Sequence, residues 1–367
     1  MMKVGIATFI KTGNYGALLQ QYALQQVLQL QGVEAEILNY CCPEIEMNHN
    51  PSFIWKSPSV FKRLAAPILV PIYRSRRKKF ECFERQYCKF SPIEYTLKTL
   101  PDVSAEYDCF IAGSDQVWNT SLTHSDPFFF LDFEHDGAKK CSYAASIGKE
   151  YWTDDASQCE NALRSFRIVS LREETSAAIY RKRTGRTDAC ANLDPTLLLT
   201  KDHWEKFVKE RPVKENYILL YMLPSDKKLL KKIRAFAKAQ GCKLYILLKG
   251  FKPMWGIHIL NTLSPEDFLT WIHHADYVIA GSYHGICFSV LLHKTFFATQ
   301  SHSPELTART ENLLHQFGLS ERLIHADKPL PNEKIDYDRV DVLMEQQRKC
   351  SINTLRQICQ VGRCKSE

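Results

Sequence analysis

The chain lacks any apolar run approaching the roughly 18 residues needed to cross a bilayer, which argues against an integral membrane protein. It lacks the G-x-G-x-x-G turn of a dinucleotide fold, so no dinucleotide cofactor is expected. Its cysteines lack C-x-x-C spacing, including the pair Cys41-Cys42 and the trio Cys350, Cys359, Cys364, so no metal is expected. No internal repeat and no low-complexity tract interrupts it. The opening segment, Met1 to Ile10, has one lysine and then a strand-like apolar run, without the longer apolar core and small-residue cleavage site of a signal peptide. The expected location is therefore the cytoplasm. No nucleic-acid motif or aromatic-basic interleaving accompanies the basic residues, so nucleic acid is not an expected partner.

What is present points to a globular α/β chain. Its 367 residues, 45% hydrophobic and 24% charged, suit two domains. The 13 cysteines are odd in number and scattered, and several, such as Cys109, Cys242 and Cys287, lie in apolar runs. Most are expected to be reduced and buried. The net charge of +7 is uneven, with a block from Arg74 to Lys79 following the apolar stretch Leu64 to Tyr73. Such a pairing can rest on an anionic membrane surface, or be a solvated helix end beside a buried segment.

The first forty residues read as a βαβ unit, with a strand over 3–10, a glycine-bearing loop over 11–16, a helix over 17–31 and a strand over 34–40. Residues 41–100 are expected to form a poorly defined basic insertion. Strand patterns return over 107–112, 140–145 and 166–171, with a helix after Arg172. After a linker over 210–215, the α/β alternation resumes with strands at 217–223, 243–248, 276–280 and 295–299. The expected domains are 1–209, 216–335 and a helical tail over 336–367. The expected fold is α/β with two facing Rossmann-like domains, GT-B-like, whose C-terminal helix crosses back to the first domain.

Open α/β sheets bind ligands at the carboxyl ends of their strands, so four strand-to-helix turns are the candidate sites. The first is Thr12-Gly13-Asn14-Tyr15-Gly16, where an aromatic stands at an expected loop tip beside a capping asparagine. The second runs from Ala112 to Asn119. In it Asp115 is a candidate general acid or base and Trp118 a candidate platform for a sugar face, although Ser114 or Asp115 could equally cap the next helix. In the third, Ser170 to Thr175, Arg172 can clamp a carboxylate or phosphate, or pair with Glu173 or Glu174. The fourth, Gly281-Ser282-Tyr283-His284-Gly285, sets a histidine at the mouth of an apolar helix. There the imidazolium, Ser282 and the helix N-terminus would together hold a phosphate. Arg309 could add a second cation or pair with Glu305 or Glu311, and Lys249 is a weaker candidate of the same kind.

Six ordered motifs carry a family resemblance: Gly13 to Ala17 with Gln20, Gly113 to Asn119, Tyr143 to Gly148, Ser170 to Glu173, Leu193 to Thr196, and Ser282 to Gly285. Together, over about residues 3–320, the chain resembles the polysaccharide pyruvyl transferase family. The resemblance implies a GT-B-like fold and a reaction in which phosphoenolpyruvate and a sugar diol become a cyclic pyruvate ketal. Phosphoenolpyruvate is then a co-substrate, no separate cofactor is implied, and the acceptor is a sugar, potentially lipid-linked. The resemblance implies Arg172 and His284 as catalytic residues around the donor, helped by Ser282, Gly285, Arg309 and Lys249. Catalytic Asp115 would stand on the acceptor side with Asn14, Tyr15, Gly16, Gln20, Gln116, Trp118 and Asn119. Some members carry an arginine where this chain has Gly281-Ser282-Tyr283, so phosphate binding here would lean on other cations. If the acceptor is lipid-linked, the segment from Leu64 to Lys79 would touch the inner membrane face. Two other functions fit the same fold: a nucleotide-sugar glycosyltransferase, with Glu266 or Asp267 gripping a ribose, and a non-catalytic sugar-binding relative.

Overall fold

The computed structural model describes residues 1–45, 50–56, 59–148, 157–222, 226–248, 254–300 and 304–361. The chain divides into two compact units, one of residues 1–49, 83–199 and 345–367, the other of residues 50–82 and 200–344.

The first unit is built on four parallel strands, β1 (Lys3–Ala7), β2 (Glu34–Ile37), β3 (Cys109–Ala112) and β4 (Lys140–Ser142), in the order β2-β1-β3-β4. Two further strands, β5 (Ser170–Leu171) and β6 (Cys190–Ala191), pair in parallel and continue the sheet from β4 through bridges at Cys141–Ile168 and Ala145–Leu171. β3 is buried along its whole length, hence its unbroken apolar character. The helix Tyr15–Leu30 is buried on nearly every side, so even its glutamines need internal partners. Gln25 donates to the carbonyls of Ala35 and Lys89 and accepts from the Lys89 amide, tying the helix to β2 and to the segment that bridges β2 at Phe90.

The second unit has six parallel strands: β7 (Tyr217–Tyr221), β8 (Lys243–Leu247), β9 (His258–Leu260), β10 (Tyr277–Ala280), β11 (Phe296–Thr299) and β12 (Leu323–Ile324). Their spatial order is β12-β11-β10-β7-β8-β9. Counted from β7, that is the 3-2-1-4-5-6 order of a Rossmann sheet, which reverses direction between β7 and β10. The helix Lys227–Ala239 is capped by the Asp226 carboxylate and buries Leu229, Ile233 and Ala237 at four-residue spacing. β9 and β12 are too short to leave a period in the sequence, and neither was expected.

Three expectations change. Residues 50–82 belong to the second unit rather than to an insertion in the first, and carry a 3-10 turn (Pro51–Lys56), a short helix (Val60–Leu64) and all but the last five residues of the helix Ala66–Tyr87. The basic block is not one charged face. Arg76 turns inward and is buried, Arg77 pairs with Glu81, and Lys79 lies 3.7 Å from Asp267, so only Arg74 and Lys78 of its cations are exposed. The cysteines are less buried than expected. Of the eleven described, only Cys42, Cys109, Cys141, Cys287 and Cys359 are buried, while Cys82, Cys190 and Cys350 are exposed.

The last helix, Tyr337–Val361, does return to the first unit, which it joins from Glu345 onward. Ser351 accepts from the Leu193 amide, and Arg348 donates to the carbonyls of Leu197 and Leu199. Among the described residues no helix is long and apolar enough to cross a membrane. No group of three or more His, Cys, Asp or Glu among them is placed to hold a metal ion.

Candidate functional site

In the first sheet the order reverses between β1 and β3, so ligands are expected beyond the carboxyl ends of those strands. Five of the six motifs meet there. β3 runs into Gly113-Ser114, a cis peptide, and then into Asp115, which adopts φ 74°. The turn needs glycine at position 113, where φ is 122° and a Cβ would stand 2.3 Å from the Tyr143 carbonyl oxygen. The Ser146 amide donates to the Asp115 carbonyl, and Thr8, at the end of β1, donates its hydroxyl to the Ser114 carbonyl.

Beneath this turn lies a buried ionic cluster. The Arg172 guanidinium donates to Glu173 at 2.9 Å, Asp194 at 3.2 Å and Asp115 at 3.5 Å, and its side chain is 0% exposed. Asp194 also accepts from the Thr196 amide and hydroxyl and from Ser114. Three carboxylates engage the Nε and one terminal nitrogen of this guanidinium, which favours a structural pairing over the expected clamp on a substrate anion. The contact of Arg172 with Asp115 ties that carboxylate to the buried cluster. The Asp115 carboxylate, 9% exposed, also accepts from the Gln116 amide and is the member of the cluster nearest the surface.

The acceptor-side candidates divide. Asn14 is exposed and caps the helix Tyr15–Leu30 by accepting from the Gly16 amide. Gln116 is half-buried and accepts from the Asn119 amide group, while Asn119 caps the short helix Thr120–Thr123. Trp118, expected as a sugar platform, is wholly buried. Its indole donates to the Phe129 carbonyl, and its ring stacks on Tyr180 and meets the edge of Phe166. Tyr15 is not at a loop tip but opens a helix and is buried with Gly16. Gln20, also fully buried, donates to the Thr8 hydroxyl and the Ala17 carbonyl, and thus braces the strand end from inside. For Trp118, Tyr15 and Gln20 the neighbouring core captures a side chain whose polarity or aromaticity suggested a surface role.

In the second unit the reversal lies between β7 and β10, and the sixth motif, Ser282 to Gly285, follows β10 directly. Ser282 caps the helix Tyr283–Leu291 by accepting from the Gly285 amide at 3.1 Å. His284 stands in its first turn, 7% exposed, edge-on to Tyr283 at 5.3 Å. Arg309 is buried with its guanidinium 5.3 Å over the Tyr283 ring. A Cβ on Gly285 would come within 2.6 Å of the Tyr221 ring, so only glycine lets the helix start press against the end of β7. Burial pushes the Tyr221 phenol up, opposed by the charge of Arg76 and a hydrogen bond with Ser282. Lys249 lies outside the described residues. The sequence offered no local signal for Arg76, whose place depends on contacts with residues far along the chain.

The ordered strand-end motifs thus have a consistent geometry, and the family model described as polysaccharide pyruvyl transferase matches residues 14–303. The chain belongs to the polysaccharide pyruvyl transferase family. No curated protein matches this family member in sequence. It is similar to the solved UDP-GlcNAc 2-epimerase of Neisseria meningitidis bound to UDP-GlcNAc, with 10% identity, 98% of this chain and 99% of that one covered, and a TM-score of 0.49. It is also similar to a putative UDP-N-acetylglucosamine 2-epimerase of Listeria monocytogenes, with 10% identity, 97% and 91% covered, and a TM-score of 0.48. For an E. coli heptosyltransferase with ADP the identity is 11%, the coverage 95% and 100%, and the TM-score 0.40.

Proposed function

We propose that this transferase moves the pyruvyl group of phosphoenolpyruvate onto two hydroxyls of a sugar, forming a cyclic ketal and releasing phosphate. The observation that carries this beyond family membership is the strand end of the second unit. A capped helix N-terminus, His284 and the buried Arg309 gather there at the sheet's reversal point, a constellation suited to an anion rather than a neutral sugar. Phosphoenolpyruvate offers a phosphate and a carboxylate to such a site.

Chemically, the methylene carbon of the donor gains a proton and C2 becomes electrophilic. One sugar hydroxyl bonds to C2 and loses its proton, the C2–O bond to phosphate breaks, and the second hydroxyl closes the ring with loss of its own proton. The two hydroxyl protons are thereby balanced by the new methyl group and by the released phosphate. On the acceptor side Asp115, held by Arg172, takes a hydroxyl proton. On the donor side His284 binds the phosphate and protonates it as it departs. Of the two ribose candidates of the glycosyltransferase alternative, Glu266 and Asp267, the second is committed to a capping box with Ser264 and to Lys209 at 2.8 Å.

Phosphate release from phosphoenolpyruvate, measured with free and lipid-linked galactose, mannose, glucose and N-acetylhexosamine acceptors, tests the proposal. Acceptor-dependent release, with a product heavier by one pyruvyl ketal, is expected. Turnover of a nucleotide-sugar donor without any use of phosphoenolpyruvate would overturn it.

A further inference from the structure

Arg76 belongs by sequence to a basic block that looks like surface, yet the structure buries it at 8% exposure. It projects from the inward stripe of the helix Ala66–Tyr87, along with Ala66, Val70 and Phe80. Its guanidinium lies 5.4 Å over the Phe80 ring and 3.5 Å from the Leu248 carbonyl, the residue that follows β8. Its charge acts on the Tyr221 phenol at the end of β7, and that phenol in turn bonds Ser282. Arg76 therefore reaches the carboxyl edge of the second sheet at the end of β8, within electrostatic reach of Tyr221, whose ring packs at the start of the helix that carries His284.

A second feature of this edge is independent of Arg76. Thr299 ends β11, is 2% exposed, and its hydroxyl has no hydrogen-bond partner among the described residues. That oxygen lies 3.0 Å from where a Cβ on Gly281 would stand, immediately before the Ser282 cap. A buried hydroxyl without a partner is costly unless a ligand or water supplies one.

We propose that Arg76 is a donor-binding residue, which with Arg309 and His284 holds the two anionic groups of a small phosphorylated carboxylic acid, with the Thr299 hydroxyl completing the cradle. This rests on the proposed use of phosphoenolpyruvate and adds a second guanidinium to its site. Two guanidiniums suit a ligand with two separate anionic groups, because each can meet a planar carboxylate or a phosphate through paired donors. The remaining cations of the block are not part of the site.

The test compares Arg76→Gln and Arg76→Lys with Arg74→Gln, an exposed neighbour on the same helix. Calorimetric binding of phosphoenolpyruvate and the KM values for donor and acceptor are the readouts. Arg76→Gln should weaken phosphoenolpyruvate binding and raise its KM by about ten- to a hundredfold while leaving the acceptor KM within about twofold. Arg76→Lys should recover part of the loss, and Arg74→Gln should change neither value. Should Arg76→Gln fail to fold, judged by its thermal transition, Arg76→Lys decides: it keeps the charge but not the fork, and an unchanged donor KM overturns the proposal. Wild-type binding with undiminished binding by folded Arg76 variants overturns this proposal alone. A wild-type protein that does not bind phosphoenolpyruvate overturns it together with the function on which it rests.

Discussion

His284, Arg172 and Trp118 were each candidates from sequence, and their surroundings give them different work. Replacing His284 by alanine should lower kcat by at least about a hundredfold with the thermal transition retained, as measured by phosphate release and calorimetry. Arg172→Ala leaves three buried carboxylates uncompensated and should cost about 3–5 kcal/mol in urea unfolding. Arg172→Lys, which keeps the charge, should lower kcat through a misplaced Asp115 and leave the phosphoenolpyruvate KM unchanged. A raised donor KM would restore the direct anion clamp. Trp118→Phe removes the indole hydrogen bond to Phe129 and should lower stability by about 1–2 kcal/mol, with no change in acceptor KM. The positions of Asp115 and His284 were legible because each follows an apolar strand, and strand ends face the ligand edge. The burial of Trp118 and the enclosure of Arg172 were not, because an aromatic or a cation after a strand reads alike whether the core or the solvent receives it.

At the scale of elements, the turn after β3 and the start of the helix Tyr283–Leu291 are the least tolerant places. Gly113→Ala would set a Cβ against backbone, which cannot swing away, and should abolish soluble expression or activity; Gly285→Ala would meet the Tyr221 ring, a neighbour with more freedom to shift, and should cost less. The junction of β2 with the surrounding loops has an acid dependence. Burial alone would push the Glu36 carboxyl up, but the Tyr107 hydroxyl at 2.8 Å, Lys89 at 3.0 Å and Lys3 at 3.1 Å hold it below the ordinary carboxylate range. A depressed pKa means stability fully present above the unfolded-state value and lost as pH falls through the folded-state value. Wild-type stability should therefore drop on acidification below about pH 4.5, and Glu36→Gln should be less stable near neutrality with a flatter acid limb, followed by denaturant unfolding at several pH values. The strands and helices of both sheets were legible from period and capping residues. β6, β9 and β12 were not, since two or three residues carry no period.

For the whole molecule, the last helix is the part whose removal reports on the division into units. Ser351, Arg348, Leu355 and Ile358 serve the first unit, the latter two fully buried. Ending the chain at Met344 should destabilise that unit more than the second, seen as earlier proteolysis within residues 1–49 and 83–199. The sequence by itself determined the α/β alternation, the ordered motifs at strand ends and the family, because these depend on residues close together along the chain. Only the tertiary structure decided that residues 50–82 join the second unit, that Arg76 turns inward and that Arg172 faces three carboxylates. Those outcomes rest on partners more than a hundred residues away in the case of Arg76 and Leu248, and a local pattern holds no record of them. Burial fixes which charge meets which partner, and burial is a property of the packed chain.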